Sequence, residues 1–180
     1  RRLFRKAGNV RLLMAEVERF DPARRRVMTS SGELTYDYLV LATGSRSQFF
    51  GLDQSKLLPL KTVPTALGMR NHILREFEKT ASALDGRETD GNLNFVVVGG
   101  GPTGVELAGA LGEMKKFVLP KDFPELDLSR MSIHLVEGLE RLLPAMSETS
   151  SRNARAQLEE LDVQIHLETM IEEYDGASIE

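Results

Sequence analysis

Between Val10 and Phe20 the apolar positions follow no helical period, and Asp21-Pro22 ends the run with a turn signal, so a strand ending at that turn is expected. Val27-Met28-Thr29 and Leu34-Thr35-Tyr36 flank Ser30-Ser31-Gly32, the pattern of a short antiparallel hairpin. Tyr38-Leu39-Val40-Leu41-Ala42 is a continuous apolar run closed by Thr43-Gly44-Ser45 and predicts a strand buried on both faces. Residues 46–61, broken by Gly51, Asp53, Ser55 and Pro59, carry no period and read as a linker. Ala66, Met69, Ile73, Leu74 and Phe77 then recur at three- and four-residue steps, which predicts a helix capped by Thr65 and ending before Gly86.

After a polar, turn-rich stretch from Asp85 to Asn94, the pattern alternates between buried runs and amphipathic ones. Phe95-Val96-Val97-Val98 predicts the most strongly buried strand, Thr103 to Phe117 a helix, Pro120 to Arg130 an irregular stretch, and Ser132 to Val136 a second buried strand. Glu148 to Leu161 predicts another helix, and Val163 to Leu167 and Met170 to Tyr174 two further strands, with Asp175-Gly176 a hairpin turn. The β-α-β-α-β order from Phe95 to Leu167 calls for a parallel sheet with helices packed over it. The expected fold is therefore α/β and three-layer, a Rossmann-like parallel sheet with flanking helices and a β-meander. Two parts are expected, a β-rich segment with its linker at 1–61 and an α/β domain at 62–180.

Composition narrows the chemistry. The 180 residues carry a formal net charge of −4, and nucleic-acid binding needs a surplus of cations on one surface. Arg24-Arg25-Arg26, with Arg19 nearby, reads as a solvated turn rather than a phosphate-binding patch. Cysteine is absent, which excludes disulfides, thiolate zinc sites and a cysteine nucleophile within these residues, so redox chemistry here calls for a borrowed cofactor. The basic start Arg1-Arg2-Leu3-Phe4-Arg5-Lys6 is not followed by the apolar run of a signal peptide. No segment reaches the ~20 apolar residues of a membrane span. The missing initial Met and the strand that breaks off at Ile179-Glu180 read as an internal piece of a longer protein. His72, His134 and His166 have no ligand spacing and no adjoining nucleophile, so core or surface roles are expected and no metal site; Met69, Met114, Met131, Met146 and Met170 read as gap fillers.

The candidate site follows the strand ending at Val98. Gly99-Gly100-Gly101-Pro102-Thr103-Gly104 places glycines at the first, third and sixth positions of a dinucleotide-binding turn. Gly99 permits the tight turn, Gly101 lets a pyrophosphate approach the backbone, and Gly104 lets the helix lie close to the sheet. Ala108, Gly109 and Gly112 continue that small-residue surface. The helix N-terminus supplies free amides and a positive dipole end for phosphate. Glu137 ends the next strand, 33 residues beyond the last glycine, where a carboxylate accepts hydrogen bonds from the adenosine ribose and repels a 2′-phosphate. NADH is therefore expected over NADPH, with Arg141 the one feature favouring the phosphorylated form. Glu106 has two readings: in Thr103-x-x-Glu106 it closes a capping box, or it sits beside the nicotinamide, ordering the ring or assisting proton movement.

Tyr36-Asp37-Tyr38-Leu39-Val40-Leu41-Ala42-Thr43-Gly44-Ser45 and Val96-Val97-Val98-Gly99-Gly100-Gly101-Pro102-Thr103-Gly104-Val105-Glu106-Leu107-Ala108-Gly109, taken together, strongly resemble the two-dinucleotide-domain flavoprotein oxidoreductases. Leu60-Lys61-Thr62, Leu135-Val136-Glu137 and Arg141-Leu142-Leu143-Pro144 look most like the type II NADH:quinone oxidoreductases among them. The resemblance implies that residues 1–61 are part of an FAD domain and 62–180 an inserted NADH domain. It also implies that Gly99, Gly100, Gly101, Pro102, Thr103 and Gly104 hold NADH, Glu137 its ribose and Glu106 its nicotinamide end, Glu106 being the candidate catalytic residue. Thr43 and Gly44 match the motif on the FAD side. Hydride would pass from NADH to FAD and electrons on to quinone, in a cytoplasmic protein peripheral to the inner face of the membrane through parts outside this chain, with a homodimer allowed. The chain alone is expected to bind NADH weakly and to transfer no hydride. Two rivals stand beside this reading, a relative with a soluble acceptor (disulfide, peroxide or iron–sulfur protein) and a non-catalytic NADH sensor.

Overall fold

The computed structural model describes residues 6–83 and 93–180. The basic start at 1–5, the helix end before Gly86 and most of the polar stretch at 85–94 lie outside the described residues. The chain divides into two compact units, Arg1–Ser45 and Arg46–Glu180.

The first unit is an antiparallel meander of β1 (Val17–Asp21), β2 (Arg26–Thr29) and β3 (Gly32–Thr35), so both the strand ending at Asp21 and the hairpin are as expected. Gly32 at φ +118 and the Thr29 hydroxyl, which donates to the Gly32 carbonyl at 2.7 Å, shape the hairpin turn. At the preceding turn the Asp21 carboxylate accepts from the Arg24 amide and guanidinium at 3.0 and 3.1 Å, and these bonds, the backbone one first, hold its pKa below the usual carboxylate range. Arg26 pairs with Glu33 at 2.9 Å. Two of the three consecutive arginines therefore face carboxylates at a hairpin surface, as a solvated turn requires. The expected strand Tyr38–Ala42 does not form: Tyr38 is 94% and Val40 84% exposed. A strand buried on both faces needs neighbours along its edges, and no described strand pairs with this run.

In the second unit α1 (Val63–Ala83) starts two residues before the expected cap, Thr65. Thr62 is the cap: its hydroxyl accepts from the Thr65 amide at 3.3 Å while Thr65 Oγ1 accepts from the Thr62 amide at 2.8 Å. The two threonines form a reciprocal box. Strands β4 (Leu93–Val98), β5 (Met131–Val136) and β6 (Val163–His166) form a parallel sheet in the order β4-β5-β6. β4 is an edge of that sheet and Val98 is 48% exposed; the most buried strand is β5, with Ile133 and Leu135 at 0%, because it alone has a partner on each side. Helix α2 (Pro102–Glu113) runs through a π turn at Met114–Val118 into a short α3 (Leu119–Asp122). The chain stays helical past Pro120, where an irregular stretch was expected, because the widened turn before it takes up the ring and its missing N–H. Helix α4 (Glu148–Glu160) is capped by Ser147, whose hydroxyl accepts from the Ser150 amide at 3.1 Å. Met170–Tyr174 is not a strand; a single antiparallel bridge, Tyr174 to Ile179, closes the turn at Asp175-Gly176.

The core joins Met69, Ile73 and Phe77 of α1, Ala108 and Leu111 of α2, the sheet residues and Leu158 of α4. Phe77 is fully buried with its ring 5.8 Å from Phe95 and 6.0 Å from Phe123. A Cβ at Gly112 would stand 3.0 Å from the Leu161 carbonyl, which shows how closely α2 approaches the turn before β6. A polar line crosses the sheet. Ser132 Oγ donates to Asn94 Oδ1 at 2.5 Å and so accepts from His134 Nε2 at 2.9 Å, leaving His134 Nδ1 to accept from His166 Nε2 at 3.0 Å. Desolvation first, and the neighbouring His166 second, hold the His134 imidazole below the usual histidine range.

Phe77→Ala should lower the unfolding free energy by about 3–5 kcal/mol in urea titrations, since two aromatic neighbours lose their packing partner. Because burial and the neighbouring His166 disfavour protonation of His134 in the folded state, the unfolded chain binds more protons as pH falls through about 6.5. Stability should therefore fall as pH drops from about 7.5 to about 5.5, and His134→Gln should flatten that dependence when unfolding is followed at each pH.

Candidate nucleotide site

The site is assembled where β4 and β5 end side by side. The Gly99 amide donates to the Val136 carbonyl at 2.8 Å, which extends the ladder one residue past β4. The chain then turns at Gly99, φ +104, a conformation that L side chains rarely adopt. The next glycines differ in what surrounds them. A Cβ at Gly104 would lie 1.8 Å from the Gly99 carbonyl oxygen, so the first helical turn folds directly onto the start of the loop. One at Gly100 would meet Leu142 at 2.7 Å and the Glu137 side chain at 3.0 Å. At Gly101 φ is −74 and nothing stands within 4 Å of a Cβ. Conformation and packing thus account for glycine at 99, 100 and 104, while at 101 the protein leaves an open space beside the backbone.

Gly101 is also the N-cap of α2, and no side chain caps it. Pro102, first in the helix, has no N–H, so the amides of Thr103 and Gly104 point out of the helix end without intrahelical acceptors. The capping-box reading of Thr103 and Glu106 is overturned: Thr103 is the second helical residue rather than the cap, and its hydroxyl accepts no capping bond. Glu106 is exposed on α2. Glu137 is half-buried at the end of β5; its Oε2 accepts from the Gly100 amide at 2.6 Å and its Oε1 from the Leu139 amide at 2.8 Å. The structure thus brings Gly99–Gly104 and Glu137 together. Arg141 Nη2 donates to the Pro144 carbonyl at 2.8 Å, folding the guanidinium back over its own loop. Thr43 and Gly44 belong to the first unit, where both are exposed and Gly44 has φ +76.

Leu142 and Leu143 were not expected at the site. Leu142 is 1% exposed against Gly100, and the Leu143 amide, from a residue at φ +50, donates to the Gly100 carbonyl at 2.8 Å. The local signal was an apolar pair ahead of Pro144, which says nothing by itself about a glycine 43 residues earlier.

Residues 2–179 match the family model described as pyridine nucleotide-disulphide oxidoreductase, and the chain belongs to that family. It is 34% identical to "Type II NADH:quinone oxidoreductase NdhA" of Mycobacterium tuberculosis, over 99% of this chain and 40% of that one. It is 31% identical to "External NADH-ubiquinone oxidoreductase 2, mitochondrial" of Saccharomyces cerevisiae, over 90% of this chain and 32% of that one. The chain thus spans about 40% of the mycobacterial relative's length. Its fold is similar to that of NDH2 from Plasmodium falciparum, solved in complex with NADH, at a TM-score of 0.67 and 21% identity over 93% of this chain and 35% of that one.

Gly104→Ala should destabilise the second unit by more than about 2 kcal/mol, because the obstructing atom is backbone. Gly101→Ala should cost less than about 1 kcal/mol. Urea unfolding of the two variants checks the contrast.

Proposed function

We propose that this member of the pyridine nucleotide-disulphide oxidoreductase family is the NADH-binding portion, with an adjoining FAD-side segment, of a flavin-dependent NADH:quinone oxidoreductase. The observation that carries the reading is Gly101, a glycine that neither conformation nor packing requires, beside uncapped helix amides. The names of the mycobacterial and yeast relatives support NADH as electron donor and quinone as acceptor.

On this reading the amides of Gly101, Thr103 and Gly104, at the positive end of α2, receive the pyrophosphate of NADH, whose backbone approach Gly101 leaves open. Glu137 keeps a second lone pair on each oxygen for a ribose hydroxyl, and its charge opposes a 2′-phosphate, favouring NADH over NADPH. Glu106, exposed on the same helix and outside any capping box, is assigned to the nicotinamide end, where a carboxylate orders the ring. The Thr43-Gly44 segment leaves room for a flavin nucleotide at close range, since Gly44 has φ +76 and nothing within 4 Å of a Cβ. A bound FAD would supply the two-electron chemistry, taking hydride from NADH and releasing electrons to quinone. Quinone is lipid-soluble, so a peripheral position at the inner face of the membrane fits the reaction.

In the full-length protein, NADH should be oxidised in the presence of a quinone analogue. Binding without turnover would instead make the protein an NADH sensor, and turnover only with a disulfide, a peroxide or an iron–sulfur protein would place it with the soluble-acceptor relatives. Gly101→Val should weaken NADH binding at least about tenfold, a loss of roughly 1.4 kcal/mol, with the urea midpoint nearly unchanged; equal affinity in the two proteins would remove Gly101 from the site.

A further inference from the structure

We infer that Glu137 is a positioning residue for the phosphate-binding turn, setting the Gly100 peptide that aims the start of α2, in addition to any contact with ribose. The inference rests on the NADH reading of the site. Both carboxylate oxygens accept from backbone amides, Gly100 at 2.6 Å and Leu139 at 2.8 Å, so the side chain ties its own segment to a turn 37 residues earlier. Amide bonds to an ionised carboxylate are among the stronger hydrogen bonds available to a loop.

Gly100 is held on its other side as well. Its carbonyl accepts from the Leu143 amide at 2.8 Å, and its Cα faces Leu142 and the Glu137 stem so closely that no Cβ fits. Both polar groups of this residue thus engage the segment that follows β5. Gly99, at φ +104, is tied to β5 through its amide, which donates to the Val136 carbonyl at 2.8 Å, and it has no side chain to fix the peptide that follows. The direction in which the chain enters Gly101 and Pro102 is then set by the bonds of Gly100 together with the contact of the Gly99 carbonyl on Gly104.

Two consequences follow for ligand binding. The Gly100 amide is already engaged and contributes no bond to phosphate, which leaves that task to Gly101, Thr103 and Gly104. The donors are also set before the ligand arrives, so less ordering accompanies binding. Loss of the Glu137 charge should then weaken every ligand that carries the pyrophosphate, whether or not its ribose has a 2′-hydroxyl. A residue acting through the ribose hydroxyl alone would show the opposite pattern.

The test is a thermodynamic cycle on the full-length protein with Glu137→Gln, using NADH and its 2′-deoxyadenosine analogue. Gln keeps one acceptor and turns an NH2 toward the other amide, so about tenfold weaker binding is expected for the deoxy ligand, which makes no 2′-hydroxyl contact, and at least as large a loss for NADH. Weakening confined to NADH, with the deoxy analogue unaffected, would overturn the inference. Hydrogen exchange of the ligand-free protein supplies an arm that does not depend on binding. Peptides spanning residues 96–101 should be protected in wild type and lose protection in Glu137→Gln while those of α4 stay unchanged; a Gly100 amide exchanging freely in wild type would also overturn it. A wild-type protein that binds neither nucleotide but protects Gly100 would remove the NADH reading and leave the clamp on the turn in place.

Discussion

The carbonyl oxygen of Gly99 occupies the place where residue 104 would carry a side chain, 1.8 Å from the position a Cβ would take. This contact fixes how steeply α2 leaves the end of β4, and the rest of the second unit is arranged around that angle. With α2 held against its own turn, Ala108 reaches 0% exposure and Gly112 comes within contact range of Leu161 and Val163. The two crossovers can then lay α2 and α4 over a sheet whose middle strand, β5, is buried throughout its Met131, Ile133 and Leu135 side. A methyl group at 104 would push the helix outward and open each of these contacts in turn, because close-packed interiors transmit such shifts.

Features written in neighbouring residues were legible in the sequence. The hairpin at Ser30-Ser31-Gly32, the strand leading into Gly99, the amphipathic stripe of α1 and the helix ending before Val163 all depend on local turn chemistry and periodicity, and they stand where the pattern placed them. The differences arise where partners decide. Tyr38–Ala42 has the apolar run of a buried strand but no described strand beside it, and β4 has the most apolar sequence yet lies at an edge. The helix continues beyond Pro120 because a π turn absorbs the ring, an adjustment that propensity cannot anticipate.

Much the same division runs through the site. The roles of Gly99 and Gly104 could be argued from their spacing, and the structure supplies a positive φ for one and a backbone obstruction for the other. The bond from Glu137 to the Gly100 amide could not, because it depends on the β4–β5 register, Val98 opposite Val136, which brings residue 137 alongside residue 100. His134 and His166 likewise show no shared spacing in sequence; the parallel pairing of β5 and β6 puts them on one face as diagonal neighbours, 3.0 Å apart.

Helix α2 differs from α1 and α4 in how its first turn is satisfied. Thr62 and Ser147 cap those helices with hydroxyls, whereas α2 begins at a glycine with no side-chain cap and a proline with no N–H. Glycine in place of a capping hydroxyl costs only a few tenths of a kcal/mol. A hydroxyl there would occupy the same amides that a phosphate must reach, and a side chain would fill the space beside them. Capping and anion binding are therefore competing uses of one set of donors. The bonds that steady this turn come instead from behind it, from Glu137 and Leu143, on groups of Gly100 that lie outside the helix end. Stability of the loop and access to its donors are thus assigned to different atoms, which allows the turn to be both rigid and open.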